Sequence, residues 1–477
     1  MAGYTYKIES FAGLDQSRGE NLISPAFSPD AMNMDVSEGS LAVTKGFSKL
    51  LPAPVPREST SGIDCVRFFR GADKEIPLAI SGGFIYTYDA SDGEWTRAYS
   101  YSLVPERRHY SVLMTRIGMT DTMLIADGVN RILKFDGESF SDFGSSAGCS
   151  DIAVGYIAMY RGRLFASGDH ENPNRLYYSK LPGDSRTIED WGYDEDSPSV
   201  EGGHIEIGTT SGDPVTAICA ISNQLLIFKK SSIWRLIGDR PGNFTVERIK
   251  NDSTPVADTA TAVWRDIIYY VTDGGLCCFN GVDAAPMPDA RMIKRIMEGA
   301  DTTDSRMATA GDRLYFTVKK GGESRLVEYD LVQRRYMQYG GFLTYDIVGR
   351  DGSLIITNGA RCLEKWGVGD SFDGQPIEAW WRTPLTDLYD KAAIKSLREL
   401  YLRGTTHGSA MTVIETRAGR LRDEYRVLLP EDESEVLEVP LKNEGRTFSL
   451  RISNEAGGRF TIEGGLELDL SVRRRTE

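Results

Sequence analysis

The chain has 477 residues, of which 40% are hydrophobic and 26% charged, with 49 glycines against 19 prolines. That length and balance exclude a disordered chain and a small staple-dependent domain, and favour two or three domains built from short strands and turns. Acidic residues outnumber basic ones by 69 to 55, a net charge of −14, which disfavours gripping nucleic acid because phosphate binding relies on clustered Lys and Arg.

The opening residues, MAGYTYKIES, lack the basic start and apolar run of a secretory leader, and no stretch of about eighteen apolar residues occurs. The expectation is a chain that neither inserts into a membrane nor is exported. Residues 1–50 show little strand pattern until GSLAVTKGFSKLL at 39–51, which is suited to give an outer strand to a distant sheet and close a ring.

Beyond it a unit recurs: an apolar strand, a Gly/Asp/Asn/Lys turn and a second strand that often carries an aromatic residue. Its first two copies run from Pro77 to Tyr88 and from Met123 to Phe135, and the third, with the long turn GDHENPN, from Arg163 to Ser179. Leu225 to Leu236, Ile267 to Phe279, Leu314 to Tyr329 and Leu354 to Trp366 complete the set. Successive second strands lie roughly 37 to 57 residues apart, the length of a four-stranded propeller blade. The pattern predicts six or seven blades over 51–371. One segment departs from it: after Pro288 and Asp289, the run ARMIKRIME places Met292, Ile293, Ile296 and Met297 on one helical face, a short inter-blade helix with Asp289 as its cap.

After SFDGQP at 371–376 the repeat stops, and residues 372–477 carry the runs ELYLRG, MTVIET, YRVLL, EVLEVP, TFSLRIS, RFTIEG and LELDLSV, the pattern of a separate β-sandwich. Leu466, Leu468, Leu470 and Val472 alternate with Glu467, Asp469 and Ser471, so one face is expected buried and one wet. The fold class is therefore all-β: a propeller followed by a C-terminal sandwich. The terminal Arg473, Arg474 and Arg475 read as a solvated charge run.

Residue patterns that carry chemistry are sparse. SDGEW at 91–95 approaches a sialidase Asp box with the wrong spacing and reads as an Asp-Gly turn before Trp95. GSSAG at 144–148 matches a nucleophile-elbow expression around Ser146, but its surroundings supply no strand–turn–helix. His109, His170, His204 and His407 form no zinc-ligand spacing. The acidic run YDEDSPS at 193–199 lacks the Gly and terminal Glu of a calcium loop. Cys65, Cys149, Cys219, Cys277, Cys278 and Cys362 are scattered and are expected as reduced thiols. Trp191, in IEDWGYDED, is the tryptophan most plainly placed in a loop, where an aromatic ring could serve a glycan. No catalytic, cofactor or metal residue is assigned, and lumen or interface residues cannot be named from sequence.

Three segments resemble one family. NLISPAFSPDAMNMDVSEGSLAVTKGFSKL, Asn21 to Leu50, holds an Asn33-Met34 pair followed by Gly46-Phe47; NQLLIFKKSSIWRLIG at 223–238 precedes a blade and then PMPDARMIKRIM at 286–297; PIEAWWRTPLTDLYDKAAIKSLRELYLRG spans 376–404. In this order they resemble the propeller-containing tail nozzle, or tail hub, proteins of short-tailed bacteriophages, also called packaged-DNA stabilisation proteins. The resemblance implies a non-enzymatic virion subunit without cofactors, assembled in the bacterial cytoplasm into a homo-oligomeric ring, typically a hexamer. It also implies portal and adaptor proteins above, tail fibre, tailspike or tail-needle proteins as further partners, and DNA passing without specific binding. An acidic lumen fits such a conduit. The alternative is a propeller module that recognises a glycan or host-surface receptor.

Overall fold

The computed structural model describes residues 2–57, 62–103, 109–144, 153–192, 199–208, 212–249, 254–407, 411–431 and 435–473. Ser146 and its neighbours 145–152, Cys149 included, lie outside the described residues, as do 193–198 of the acidic run and 474–477.

Among the described residues seven sheets follow one another in the chain, the first five each made of four antiparallel strands in sequence order. Blade one is typical, running Cys65–Arg70, Glu75–Ser81, Phe84–Asp89 and Glu94–Ser102. The recurrent hairpins of the sequence are the two middle strands of every blade; in blade four, for example, Gln224–Lys229 pairs with Ile233–Ile237. These strands are apolar on both faces because blades stack on both sides of them. Separate apolar cores fill the joints between successive blades: Leu78, Ile80 and Met123 lie between one and two, Leu225, Phe165 and Leu176 between three and four, and Val66, Ala79, Ile355 and Leu363 between seven and one. That last core, with the first strand of blade seven (Thr344–Arg350) packed against that of blade one, makes the ring closed.

Blade seven takes only three strands from its own stretch of chain; its outer strand is Phe47–Lys49, which pairs with Leu363–Trp366 in the register Glu364 to Lys49 and Trp366 to Phe47. The rest of the N-terminal segment is distributed more widely than closure requires. Gly13–Leu14 and Phe27–Ser28 extend blade six beyond Arg335–Gly340. Ala2–Ile8, Met34–Ser37 and Ser40–Val43 join one sheet of the sandwich, and Asp30–Met32 joins the other.

The sandwich is thus built from both ends of the chain. One sheet is ordered Glu435–Pro440, Ile394–His407, Arg459–Arg473, Ser40–Val43 and Met34–Ser37, with Ala2–Ile8 beside the second half of Arg459–Arg473. The other runs Leu421–Val427, Thr412–Ala418, Phe448–Asn454, Trp380–Arg382 and Asp30–Met32. RFTIEG and LELDLSV are one strand, bent at Gly464 and Gly465, both at positive φ. A Cβ on Gly465 would stand 1.8 Å from the Ile8 carbonyl, so glycine lets the first strand lie alongside. Leu466, Leu468 and Leu470 are buried; Ser471, expected on the wet face, is also covered, because its cross-strand neighbours Gly3 and Ser396 flank it on both sides.

The inter-blade segment begins as a 3₁₀ turn, Ala290–Ile293, and only Lys294–Met297 is α-helical. Asp289 makes no capping bond: its Oδ2 instead accepts from the Tyr329 hydroxyl at 2.6 Å. Ile293, Ile296 and Met297 are buried as expected, and the free amides of Arg295 and Ile296 donate to Gln16 Oε1 at 3.0 and 3.2 Å. The N-terminal arm therefore supplies what the missing cap leaves open.

Candidate functional site

Two places gather the residues that the sequence leaves unassigned. The first is the propeller mouth, where the chain enters the innermost strand of each blade. Arg306, Asp346, Arg67 and His109 meet there although 67 and 346 are 279 positions apart. Asp346 is buried; its Oδ2 accepts from the Val66 amide at 2.7 Å and Arg67 Nη1 at 2.9 Å, and its Oδ1 lies 3.9 Å from Arg306 Nε. Burial weighs against the Arg67 cation, but the Asp346 carboxylate bonded to it favours the charged form, and the net shift of its pKa is upward. Burial first, then the Asp346 and Asp64 charges, push the neighbouring Cys65 thiol up to about 11 against the pull of Arg67 and Arg306, which keeps it protonated and unreactive.

His109 Nδ1 stands 3.2 Å from Arg306 Nη1 and 3.0 Å from Thr259 Oγ1. A guanidinium only donates, so Nδ1 is the acceptor in its contact with Arg306, and the other ring nitrogen, Nε2, lies 4.0 Å from Asp304 Oδ1. Thr259, His109 and Asp304 superficially resemble a nucleophile–base–acid chain. The geometry opposes that use: Arg306 occupies the nitrogen that would take the proton, the Thr259 hydroxyl donates to the Ser305 carbonyl at 2.9 Å, and Asp304 is held by Lys319 at 3.0 Å. The network ties blades one, two, five, six and seven together. Beside it open two concavities, about 260 Å³ between Asp64, Arg306, Lys319 and Tyr345 and about 680 Å³ between His109, Tyr156, His170 and Asp258. His109 and His170 thus share one wall, which their 61-residue separation in sequence concealed.

The second place is the joint of propeller and sandwich. Asn33, at φ 53 and buried, donates from Nδ2 to the carbonyls of Gly340 at 3.0 Å and Glu378 at 2.7 Å, and its Oδ1 accepts from the Gly340 amide at 2.9 Å. One amide therefore clamps the last strand of blade six to the segment that leads into the sandwich. A Cβ on Gly46 would fall 1.9 Å from the Ser371 carbonyl, so this position admits only glycine. Phe47, which follows, stacks on Phe372 at 5.3 Å and meets Phe342 edge-on at 5.5 Å, with Trp366 beside them. A single apolar core continues from blades five, six and seven through Phe11 and Trp381 into Leu400, Ile452 and Leu468 of the sandwich.

Two carboxylates at the joint are shifted in opposite directions. Glu20 accepts twice from Arg382, at 2.7 and 2.9 Å, and lies 3.4 Å from Arg295; the Arg382 hydrogen bond holds its carboxyl down at about 2. Glu364 is buried and shares the Asn358 amide with Asp373, each at 3.2 Å; burial, then the Asp373 charge, push it up to about 7 against the pull of Lys49.

The other residues singled out in the sequence fall elsewhere. Trp191 is not a loop platform: it is buried against Ile188 and Tyr177, with Nε1 donating to the Ile188 carbonyl at 2.9 Å, because the IEDW segment folds back under blade three. Trp95 pairs with Tyr88 and donates to the Ala53 carbonyl at 3.1 Å, and the preceding Asp89–Gly93 segment is a hairpin turn. His204 lies beside Tyr177 and His407 ends a sandwich strand, exposed. Cys65, Cys219, Cys277, Cys278 and Cys362 are free thiols. Among the described residues no helix is long and apolar enough to cross a membrane, and no cluster of three metal-ligating side chains occurs.

No protein-family model and no curated protein matches the chain. Among solved structures it is similar to the extracellular domain of a hybrid two-component system from B. thetaiotaomicron (13% identity, 69% of this chain and 40% of that one, TM-score 0.42). It is also similar to the Pan2 WD40 domain of Neurospora crassa (12%, 68% and 95%, 0.40) and to PorZ, a surface component of the type-IX secretion system of Porphyromonas gingivalis (10%, 80% and 46%, 0.38). The chain spans less than half the length of the first and third. By its own strand pairing the chain is a β-propeller joined to a β-sandwich.

Proposed function

We propose that this chain is a non-catalytic subunit of a short-tailed phage tail, one copy of a nozzle or hub ring that extends the DNA channel below the portal and adaptor and helps retain packaged DNA until release. The observation that carries this reading is a coincidence. Asn33 and Gly46-Phe47, which carry the resemblance to the nozzle proteins, are the residues that lock propeller to sandwich. A joint with a continuous core transmits force without hinging, as a ring subunit under pressure from packaged DNA requires. The mouth network supports a structural role as well, since its charged groups are engaged with one another across blades. The burial of Trp191 removes the aromatic platform that would have favoured a glycan-binding module.

Particles assembled without this chain test the proposal. They are expected to package DNA and then lose it, giving emptied heads by electron microscopy. Heads that stay full, with adsorption alone lost, would overturn it in favour of a receptor-binding module.

A further inference from the structure

The first sheet of the sandwich has two open edges. At one lies Ala2–Ile8, bonded only to Arg459–Arg473, and at the other Glu435–Pro440, bonded only to Ile394–His407; among the described residues neither has a second strand partner. Unpaired edges are templates for another strand. Both edges also carry apolar surface: Tyr4 is 50% exposed on one and Val436 is 59% exposed on the other.

Directions and charges say which strand fits. From Glu435–Pro440 across Ile394–His407 and Arg459–Arg473 to Ala2–Ile8, every neighbouring pair is antiparallel, so the two edge strands run in opposite senses. A rotation about an axis along the strands preserves sense, and it brings the first strand of one copy antiparallel against Glu435–Pro440 of the next. The sequence AGYTYKI holds one charge, Lys7, and EVLEVP holds Glu435 and Glu438 and no base. Like edges from two copies of EVLEVP would oppose carboxylates, whereas unlike edges place Lys7, bonded to Glu467 of its own chain at 2.7 Å, diagonal to Glu438.

We propose that copies of this chain join edge to edge through these strands, so that their sandwich sheets form one continuous antiparallel cylinder. The register sets Tyr6 opposite Leu437, Tyr4 opposite Val439 and Thr5 opposite Glu438 of the neighbouring copy, which keeps the partly exposed core-facing side chains on the core side. This contact rests on the ring reading above and specifies its interface.

The test pairs Thr5→Cys with Glu438→Cys in the full chain, followed by mild oxidation, and compares the double variant with each single one on non-reducing gels. Hydrogen exchange of Ala2–Ile8 and Glu435–Pro440 in the unmodified protein gives a readout free of substitutions. The expected result is a ladder ending in a closed ring for the double variant alone, with both edges protected in the assembled form. A ring by mass whose edges exchange freely and yield no ladder would overturn the contact while leaving the nozzle reading in place. A chain that stays monomeric alone and with portal and adaptor rings would overturn both.

Discussion

Asn33 holds three backbone groups of two domains with one side chain, at a positive φ that Asn tolerates better than most residues. Asn33→Ala leaves buried groups of Gly340 and Glu378 without partners, and each such group costs about 1–3 kcal/mol; a loss of about 2–4 kcal/mol in denaturant unfolding is expected. Gly46→Ala meets the Ser371 carbonyl and is expected to cost about 2 kcal/mol or more, as overpacking does. The two shifted carboxylates give opposite pH slopes. Glu20, held at about 2 against an ordinary 4.5, stabilises the fold above pH 4.5, and that contribution is lost as pH falls toward 2. Glu364, raised to about 7, favours the fold while protonated, below pH 4.5, and the contribution is lost as pH rises through 7. Glu364→Gln should therefore flatten the decline in melting temperature between pH 5 and 8. An unchanged slope would mean that its carboxylate is solvated in the folded state.

At the scale of elements, the middle strands of each blade were legible because LLIF or IIYYV must be apolar on both faces wherever they lie. Outer strands such as Phe140–Asp142 and Ala284–Pro286 were not, since they have three residues each, too short to show a period. The N-terminal contribution to the sandwich was hidden for another reason. Asp30–Met32 pairs with Trp380–Arg382, about 350 residues away, and no local pattern encodes such a partner. GFSKLL was readable as a closing strand because its apolar run had no neighbour of its own. That closure predicts where the ring opens first. Ser48→Pro removes an amide from the closing strand, and hydrogen exchange should quicken first in Leu363–Trp366, ahead of blades two to four; uniform quickening would show that closure is not local. At the mouth, the meeting of Arg67, His109, Arg306 and Asp346 depends on the ring being closed, so only its residue types were visible in sequence. Trp191 lies in a loop, as its polar neighbours signalled, but its ring turns inward, which no local pattern encodes.

At the scale of the whole molecule, the core that runs from blade five into the sandwich makes propeller and sandwich one mechanical unit. Both should unfold in a single calorimetric transition, and removal of residues 1–50 should unfold both, since that segment gives strands to blades six and seven and to both sandwich sheets. Two well-separated transitions would refute a shared core. A rigid unit with an acidic balance of −14 suits a conduit whose wall does not retain phosphate. Electron microscopy of the purified protein mixed with portal and adaptor rings bears most directly on this account: it predicts a ring of this chain seated coaxially on the adaptor, and a protein that remains monomeric and ignores those rings while binding glycans would contradict it.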